Sequence, residues 1–229
     1  MRPHEFWQEV YPPASFGLQG RYKDRFPARL HDGCQILLPI RPLPDGKHAL
    51  ASIIINQASF AVQDAIAEGL AVELASFDPE IVVGIPTLGL TLASGVARRF
   101  GHARFVPLGT SRKFWYEEDL SVPLSSITSP GHRKRLYVDP RMLPLLRGAR
   151  VALVDDVISS GVSMAAGIDL MTVCGIEPVV LGVAMLQTER WKSRLREAGE
   201  HWPGRLRAVF ETPILALQQD GAWAASSAQ

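Results

Sequence analysis

Short apolar runs alternate with helical patterns between residues 60 and 186, and no other feature of the sequence constrains the fold as strongly. Val62, Ile66 and Leu70 recur at intervals of four residues and predict an amphipathic helix that ends before Asp78. The pattern continues with strands at 81–85, 105–106, 151–154 and 179–185, and with helices at 88–100 and 162–174. Strands joined by helical crossovers pair in parallel. The sequence therefore predicts an α/β fold with a central, mostly parallel sheet flanked by helices.

The residues before this alternating region show weaker patterns. Six of the first 26 residues are aromatic, and they follow neither a helical nor a strand period. They predict an arm that packs on the body of the protein or on a partner subunit. Apolar runs at 36–40 and 49–55 flank the turn-rich segment 42–46, which predicts a hairpin or the edge of a small subdomain.

Residues 107–150 lack clear helical periodicity, although compact domains rarely leave more than ~12–15 residues without regular structure. Moderate alternation at 121–128 and 134–138, around Ser129-Pro130-Gly131, predicts a β-hairpin. This excursion leaves the carboxyl end of a parallel strand, where folds of this kind bind ligands. We expect a flexible β-hairpin lid over residues 109–140.

The composition is that of an ordinary globular protein, with 229 residues, 47% hydrophobic residues, and 24 Lys and Arg against 23 Asp and Glu. A formal net charge of +1 argues against a bulk polyanion, so neither nucleic acid nor a membrane is an expected partner. The longest apolar stretch, 178–186, is about half of the ~20 residues that a membrane-spanning helix needs. Cys34 and Cys174 are far apart, and the N-terminus has no apolar signal segment. We therefore expect a cytoplasmic protein.

The most informative segment is the string from Val151 to Ser163, VALVDDVISSGVS. Its apolar start leads to Asp155 and Asp156, and a loop with hydroxyl side chains then opens into a helix. A helix N-terminus offers free N–H groups and a positive dipole end to a phosphate, and Gly161 lets the backbone approach a ligand closely. Two carboxylates repel a nearby phosphate unless something lies between them, and a sugar phosphate meets this condition. The alternative is structural, with turn-forming aspartates and helix-capping serines.

This string resembles the fingerprint of the type I phosphoribosyltransferases, with serines at two positions where threonine is commoner. The resemblance is closest to the adenine- and orotate-type branches, and it implies the fold of that family, with a small hood built from the terminal segments. It also implies that Asp155 and Asp156 hold the ribose hydroxyls of phosphoribosyl pyrophosphate (PRPP). The residues that would grip the 5-phosphate are Ser159, Ser160, Gly161, Val162 and Ser163.

Two further segments fit the same resemblance. One follows a predicted strand and looks like the family's pyrophosphate loop, although any strand-to-helix turn with a glycine has a similar pattern; it consists of Pro86, Thr87, Leu88, Gly89 and Leu90. The other is Arg112-Lys113, which matches an Arg-Lys pair that many members carry on a flexible hood. Two cations there would stabilise the charge of the leaving pyrophosphate. The resemblance thus implies catalytic roles for Asp155, Asp156, Arg112 and Lys113.

Several other residues allow more than one interpretation. The basic segment 132–135 either closes over the site, faces a neighbouring subunit or forms a solvated loop. Phe114, Trp115 and Tyr116 either stack on a base or pack the loop. The histidines are scattered without ligand spacing, so we expect no metal held by protein ligands and expect Mg²⁺ to arrive with the pyrophosphate of PRPP. Cys174 lies on the apolar side of a predicted helix and is expected in the core.

These observations predict phosphoribosyl transfer from PRPP to a nucleobase, with a purine as the favoured acceptor, in nucleotide salvage or synthesis. Ser159 stands where some purine enzymes of the family place an Asp that contacts the base, so any help with base deprotonation must come from elsewhere. The alternatives are a regulatory protein that senses PRPP or a nucleotide without turnover, and another phosphosugar or nucleotide enzyme. We expect a homodimer whose subunit divides into an N-terminal arm and hood segment (1–58), a core (59–187), and a C-terminal segment and tail (188–229).

Overall fold

The structure, a computed structural model, describes residues 1–18, 20–124 and 134–226. The strands in these ranges are β1 (Arg25–Arg29), β2 (Gln35–Pro42), β3 (His48–Ala51), β4 (Ile81–Gly84), β5 (Val106–Pro107), β6 (Ser121–Pro123), β7 (Arg135–Tyr137), β8 (Val151–Ile158), β9 (Val180–Gln187), β10 (Leu206–Thr212), β11 (Ile214–Leu217) and β12 (Trp223–Ala225). The helices are α1 (Phe60–Leu74), α2 (Gly89–Arg99), α3 (Leu143–Leu146), α4 (Val162–Val173), α5 (Trp191–Ala198) and α6 (Trp202–Arg205).

A parallel sheet forms the centre of the molecule, with the strand order β10-β9-β8-β4-β5. Helices α1 and α2 pack with one apolar cluster, and α4 and α5 pack with a second cluster that includes other residues of the same sheet. Crossover helices on both sides bury the strands on both faces, which accounts for the continuous apolar runs in the sequence. The predicted α/β fold is confirmed.

Helix α1 forms where the four-residue apolar period predicts it. The hydroxyl oxygen of Ser59 accepts a hydrogen bond from the Val62 N–H at 3.3 Å and caps the first turn. Val62, Ile66 and Leu70 are completely buried on the side that faces the sheet. A Cβ atom added at Gly182 would lie 3.3 Å from the Leu70 side chain, so the helix rests closely on a strand position without a side chain.

The two ends of the chain form a second, antiparallel sheet with the order β1-β2-β3-β11-β12, called the terminal sheet below. The predicted hairpin of β2 and β3 is present, and β3 pairs with β11 from the C-terminal segment. This sheet is built from the terminal segments, as expected for the small hood of the fold family. In the aromatic arm, Phe6 and Trp7 are buried on the body, and the Trp7 indole N–H donates to the Ser52 carbonyl at 3.0 Å.

The predicted hairpin of the long excursion exists as the antiparallel pair β6 and β7. Its turn, including Ser129-Pro130-Gly131 and the basic residues His132 and Arg133, lies outside the described residues. The Arg135 guanidinium donates to the Ser121 hydroxyl at 2.9 Å and to the Ser121 carbonyl at 3.0 Å. Arg135 thus holds the two strands of the hairpin together.

Two results differ from the predicted elements. Strand β8 extends to Ile158, four residues beyond the predicted end at Val154, because its ladder with β9 continues through Asp155. The segment after residue 187 contains β10, which pairs in parallel with β9 at the edge of the central sheet. The sequence pattern predicts no strand there. The boundaries at residues 58 and 187 remain predictions.

The close contact between α1 and the sheet gives a stability prediction. Replacing Leu70 by Ala should lower the free energy of unfolding by about 2–5 kcal/mol, because it removes a completely buried side chain that packs above Gly182 and leaves a cavity beside Leu74. Urea denaturation followed by circular dichroism measures the change. Val72→Ala is the matched control, since Val72 is on the same helix but is 53% exposed, and it should change stability by less than about 0.5 kcal/mol. Equal losses in the two variants would contradict this packing.

Candidate active site

The candidate site lies where β8 continues beyond its neighbour β4. The ladder between these strands ends at the pair Gly84 and Val154, whereas β8 remains paired with β9 through Asp155 and on to Ile158. The main chain after β4 turns away, and the Ile85 N–H donates to the Val154 carbonyl at 2.9 Å. On the β4 side Asp155 therefore has no strand partner at the carboxyl edge of the sheet, where parallel sheets bind ligands.

The two carboxyl groups of this edge differ in their surroundings. Asp155 is buried, with 6% of its surface exposed, and its Oδ1 accepts a hydrogen bond from the Asp156 N–H at 2.9 Å. Burial and the negative charge of Asp156 raise the pKa of Asp155 well above its ordinary value. Burial also raises the pKa of Asp156, which is half-buried. Such a pair favours a ligand that brings hydrogen-bond donors or positive charge.

The predicted pyrophosphate loop reaches the acidic pair. A Cβ atom added at Gly89 would lie 2.7 Å from Oδ1 and 2.8 Å from Cα of Asp155, distances at which a side chain does not fit. Gly89 and Leu90 belong to the first turn of α2, so the loop proper is Pro86–Leu88. The peptide bond between Pro86 and Thr87 is cis. Here the structure brings together two segments that are separated by more than sixty residues in the sequence.

The predicted 5-phosphate loop connects β8 to α4. Gly161 has φ +80°, and a Cβ atom there would lie 3.2 Å from the Trp191 carbonyl oxygen and from the Arg194 Cβ. Both the backbone conformation and the close approach of α5 require glycine. Helix α4 begins at Val162 without a side-chain cap, so its first N–H groups are free to bind an anion. Ser160 and Ser163 are exposed, and neither hydroxyl has a hydrogen-bond partner in the described part of the chain.

Arg112 and Lys113 lie on the exposed segment that follows β5. Arg112 forms an ion pair with Glu118 at 3.5 Å. Within residues 1–18, 20–124 and 134–226, no hydrogen bond or ion pair joins either cation to Asp155 or Asp156. Neither cation therefore contacts the acidic pair through a hydrogen bond or ion pair among the described residues, and their catalytic assignment remains a prediction.

The neighbouring aromatic side chains mainly pack the excursion. The Trp115 indole donates to Asp139 at 3.2 Å, and the Arg141 guanidinium lies 4.5 Å from the centre of a Trp115 ring. Hydrogen bonds from Arg141 lower the pKa of Asp139 to about 2. Phe114 differs from its neighbours because it is 95% exposed. The packing interpretation therefore applies to Trp115. The Phe114 ring contacts the Trp115 ring edge to face but is otherwise largely exposed to solvent.

A large cavity that the sequence did not reveal lies between the terminal sheet and the ends of β9 and β10. Its volume is about 1370 Å³, and its wall includes Leu43, His48, Leu186, Thr188, Trp191 and Thr212. The Thr212 hydroxyl oxygen is buried and has no hydrogen-bond partner among the described residues. No local pattern marks this cavity, because strands and turns from both halves of the chain contribute to it.

No cluster of three or more His, Cys, Asp or Glu side chains within the described residues could hold a metal ion. No described helix combines the length and apolarity that a membrane crossing requires. Cys174 is half-buried against the second apolar cluster, and burial raises the pKa of its thiol to about 11.

Solved structures share this arrangement of sheets. The fold is similar to adenine phosphoribosyltransferase from Giardia lamblia complexed with 9-deazaadenine, with a TM-score of 0.60, 20% identity, and coverage of 76% of this chain and 93% of that one. Adenine phosphoribosyltransferase from Thermoanaerobacter pseudethanolicus has a TM-score of 0.59 and 17% identity, with coverage of 76% of this chain and 95% of that one. Adenine phosphoribosyltransferase from Rhodothermus marinus has a TM-score of 0.56 and 20% identity, with coverage of 76% of this chain and 93% of that one. None of the curated proteins matches the chain.

The sheet order, the crossovers and the terminal sheet define a protein with the phosphoribosyltransferase fold. A family profile described as "Phosphoribosyl transferase domain" matches residues 50–198, which is more than half of the chain. The chain therefore belongs to the phosphoribosyltransferase family and is a phosphoribosyltransferase enzyme. The resemblance seen in the acidic string is confirmed.

The raised pKa of Asp155 leads to a pH-dependent stability prediction. Because the folded-state pKa lies above the ordinary value of 3.8, this carboxyl contributes stability only while protonated, and that contribution is lost as the pH rises through the folded-state pKa. Asp155→Asn should therefore raise the melting temperature at pH 7, with a smaller gain at pH 4. Thermal denaturation across this range measures the difference.

Asp45 supplies a control of opposite sign. Its hydrogen bonds with the His48 side chain and with the Lys47 and His48 backbone lower its pKa to about 2. This carboxyl stabilises the fold when ionised, and the contribution is lost as the pH falls through the folded-state pKa. Asp45→Asn should lower the melting temperature at pH 7. A lower melting temperature for Asp155→Asn at pH 7 would contradict the prediction, because it would show that the ionised Asp155 carboxylate stabilises the fold.

Proposed function

We propose that this enzyme transfers the phosphoribosyl group of PRPP to a purine base and releases pyrophosphate, in nucleotide salvage or synthesis. The observation that carries the proposal is the contact between Gly89 and Asp155, which joins the pyrophosphate-loop candidate to the acidic pair. The 5-phosphate-loop candidate begins three residues after Asp156 on the same strand-to-helix connection. PRPP has the matching order of groups, with a ribose between a phosphate and a pyrophosphate.

In this proposal Asp155 and Asp156 accept hydrogen bonds from the ribose hydroxyls. Asp155 is buried and Asp156 half-buried, and burial raises the pKa of each, so hydroxyl donors from a ligand would satisfy oxygens that the protein leaves poorly solvated. The pair also lies where positive charge would develop as the bond at the sugar C1 breaks. Ser159, Ser160, Gly161, Val162 and Ser163 would bind the 5-phosphate through hydroxyl and backbone N–H groups.

The leaving pyrophosphate would be bound by the backbone of Pro86, Thr87, Leu88, Gly89 and Leu90. Mg²⁺ would enter with the pyrophosphate and neutralise part of its charge, as suits a hard cation that prefers phosphate oxygens and water. Arg112 and Lys113 would complete the site after movement of their exposed segment and would stabilise the charge that grows on the leaving group.

The acceptor base would occupy the cavity between the terminal sheet and the ends of β9 and β10. Its wall combines apolar side chains such as Leu186 and Ile214 with polar and charged side chains such as Glu211 and Gln218, which suits a flat heterocycle with polar edges. Thr188 lines this cavity and also contacts the Ser159 carbonyl, so the cavity adjoins the proposed 5-phosphate loop. The fold shared with adenine phosphoribosyltransferases adds support for a purine.

The acceptor is tested by incubating the protein with Mg²⁺, PRPP and one base at a time, and measuring pyrophosphate release. The bases are adenine, guanine, hypoxanthine, xanthine, orotate and uracil. We expect release with at least one purine and none without a base. Turnover with orotate or uracil alone would overturn the purine preference, and PRPP binding without turnover on any base would overturn the proposed transfer.

Removing both acidic charges should abolish the reaction without unfolding the protein. The double variant Asp155→Asn, Asp156→Asn should lower kcat/KM by about a hundredfold or more, because the ribose is no longer oriented by the carboxylates. The same pyrophosphate assay gives the rate, and circular dichroism gives the fold. Turnover close to the wild-type rate would refute the role of the pair.

Lys113 should affect turnover and not stability. Lys113→Ala should lower kcat by at least about tenfold, since one cation of the leaving-group site is lost, while the melting temperature stays unchanged. Lys23→Ala is the control, because Lys23 is equally exposed but lies in the N-terminal arm. A lower melting temperature with normal kcat would instead identify Lys113 as a structural residue.

A homodimer and a cytoplasmic location complete the proposal. Two free cysteines that are far apart in sequence suit a reducing compartment. Sedimentation equilibrium with and without PRPP tests the assembly, and a single-subunit mass under both conditions would exclude the dimer.

A further inference from the structure

The residue after β9 has an unusual backbone. Thr188 has φ +64°, in the left-handed region that β-branched residues rarely adopt. A conformation of this kind persists only where the surroundings enforce it, and it often lies at a functional site. Three hydrogen bonds surround this residue, and each of them leads toward the proposed phosphate loop or toward α5.

The Thr188 hydroxyl acts in two directions. It donates to the Ser159 carbonyl oxygen at 3.3 Å, and it accepts from the Arg190 N–H at 3.3 Å. The Thr188 carbonyl accepts from the Trp191 indole N–H at 3.0 Å. The first of these bonds holds the residue that opens the proposed 5-phosphate loop, and the other two bind the turn to α5.

The first turn of α5 supports the other side of the same loop. Trp191 and Arg194 lie 3.2 Å from the position of a Cβ atom at Gly161. Trp191 is buried, so this support is part of the packed body. Thr188 and Trp191 also line the cavity proposed for the acceptor. One short segment therefore contacts the loop at Ser159 and at Gly161 and forms part of the cavity wall.

We propose that Thr188 is a positioning residue for PRPP: its hydroxyl holds the Ser159 carbonyl, and this contact keeps the 5-phosphate loop in its binding conformation. The inference rests on the proposed function of that loop. Thr188 itself does not touch the phosphate in this proposal. Thr188 affects the binding of PRPP through the conformation of the 5-phosphate loop, and it takes no part in the bond changes at the sugar C1.

The test replaces Thr188 by Val. Valine has the same branching and size, so the cost of the left-handed backbone is unchanged and only the hydroxyl is lost. We expect KM for PRPP to rise about three- to tenfold, as for loss of the two hydrogen bonds that the hydroxyl makes, with kcat within about twofold. Calorimetric titration with Mg²⁺ and PRPP, without a base, should show the same loss of affinity.

Two further variants separate positioning from general stability. Thr188→Ser keeps the hydroxyl and should restore the wild-type KM for PRPP. Thr172→Val removes a threonine hydroxyl that donates to the Ile168 carbonyl at 3.0 Å, at the opposite end of α4, and it should leave KM unchanged. Should Thr188→Val fold poorly, Trp191→Phe removes the indole donor to the Thr188 carbonyl and should raise KM for PRPP about two- to threefold.

The outcomes are distinct. An unchanged KM and affinity for PRPP in Thr188→Val would overturn the positioning role, as would a Thr188→Ser variant as weak as Thr188→Val. An equal loss of PRPP affinity in Thr172→Val would show that removing any threonine hydroxyl near α4 weakens PRPP binding, and would overturn the specific role of Thr188. Failure of the wild-type protein to bind PRPP or to release pyrophosphate with any base would overturn the proposed function, and the inference with it.

Discussion

Glycine at position 89 allows the first turn of α2 to rest directly on the Asp155 carboxyl group, and the candidate site depends on this contact. Strand β8 is longer than β4, so its last residues lack a strand partner on that side, and α2 takes the place of the partner. A larger residue at position 89 would push the helix from the strand and separate the two loops. Because β4 is short and residue 89 has no side chain, the pyrophosphate-loop candidate and the 5-phosphate-loop candidate both lie next to the acidic pair.

Burial of Asp155 has consequences for stability as well as for binding. A carboxyl group in this position is poorly solvated, and the hydrogen bond from the Asp156 N–H satisfies only part of its oxygen atoms. The raised pKa of Asp155 has the same cause, because burial disfavours the ionised carboxylate and so favours the protonated form. A ligand with hydroxyl groups would supply the missing donors. The site thus retains a local destabilisation that binding would offset, which is common where function and stability compete.

Local patterns in the sequence accounted for much of the central sheet. The apolar period of α1, the acidic string and Gly161 before α4 each act within a few residues, so their structures can be inferred without knowledge of the rest of the fold. Strand β10 was missed because its burial alternates irregularly and its place depends on pairing with β9. The end of β8 was also missed, since charged residues interrupt the apolar run while the ladder continues. Such features depend on tertiary partners that no local pattern records.

The same limit explains why the acceptor cannot be inferred from motifs. The cavity takes residues from the β2–β3 hairpin, the end of β9 and the segment after β10. These parts meet because β11 pairs with β3 and because the buried Gln187 side chain donates to the Ala51 carbonyl at 2.8 Å, which links the central sheet to the terminal sheet. Thr188 follows Gln187 directly and reaches the phosphate-loop candidate. Residues Gln187 and Thr188 thus join three regions, so changes in the terminal sheet would act on the cavity wall and, through the contact between Thr188 and Ser159, on the phosphate-loop candidate.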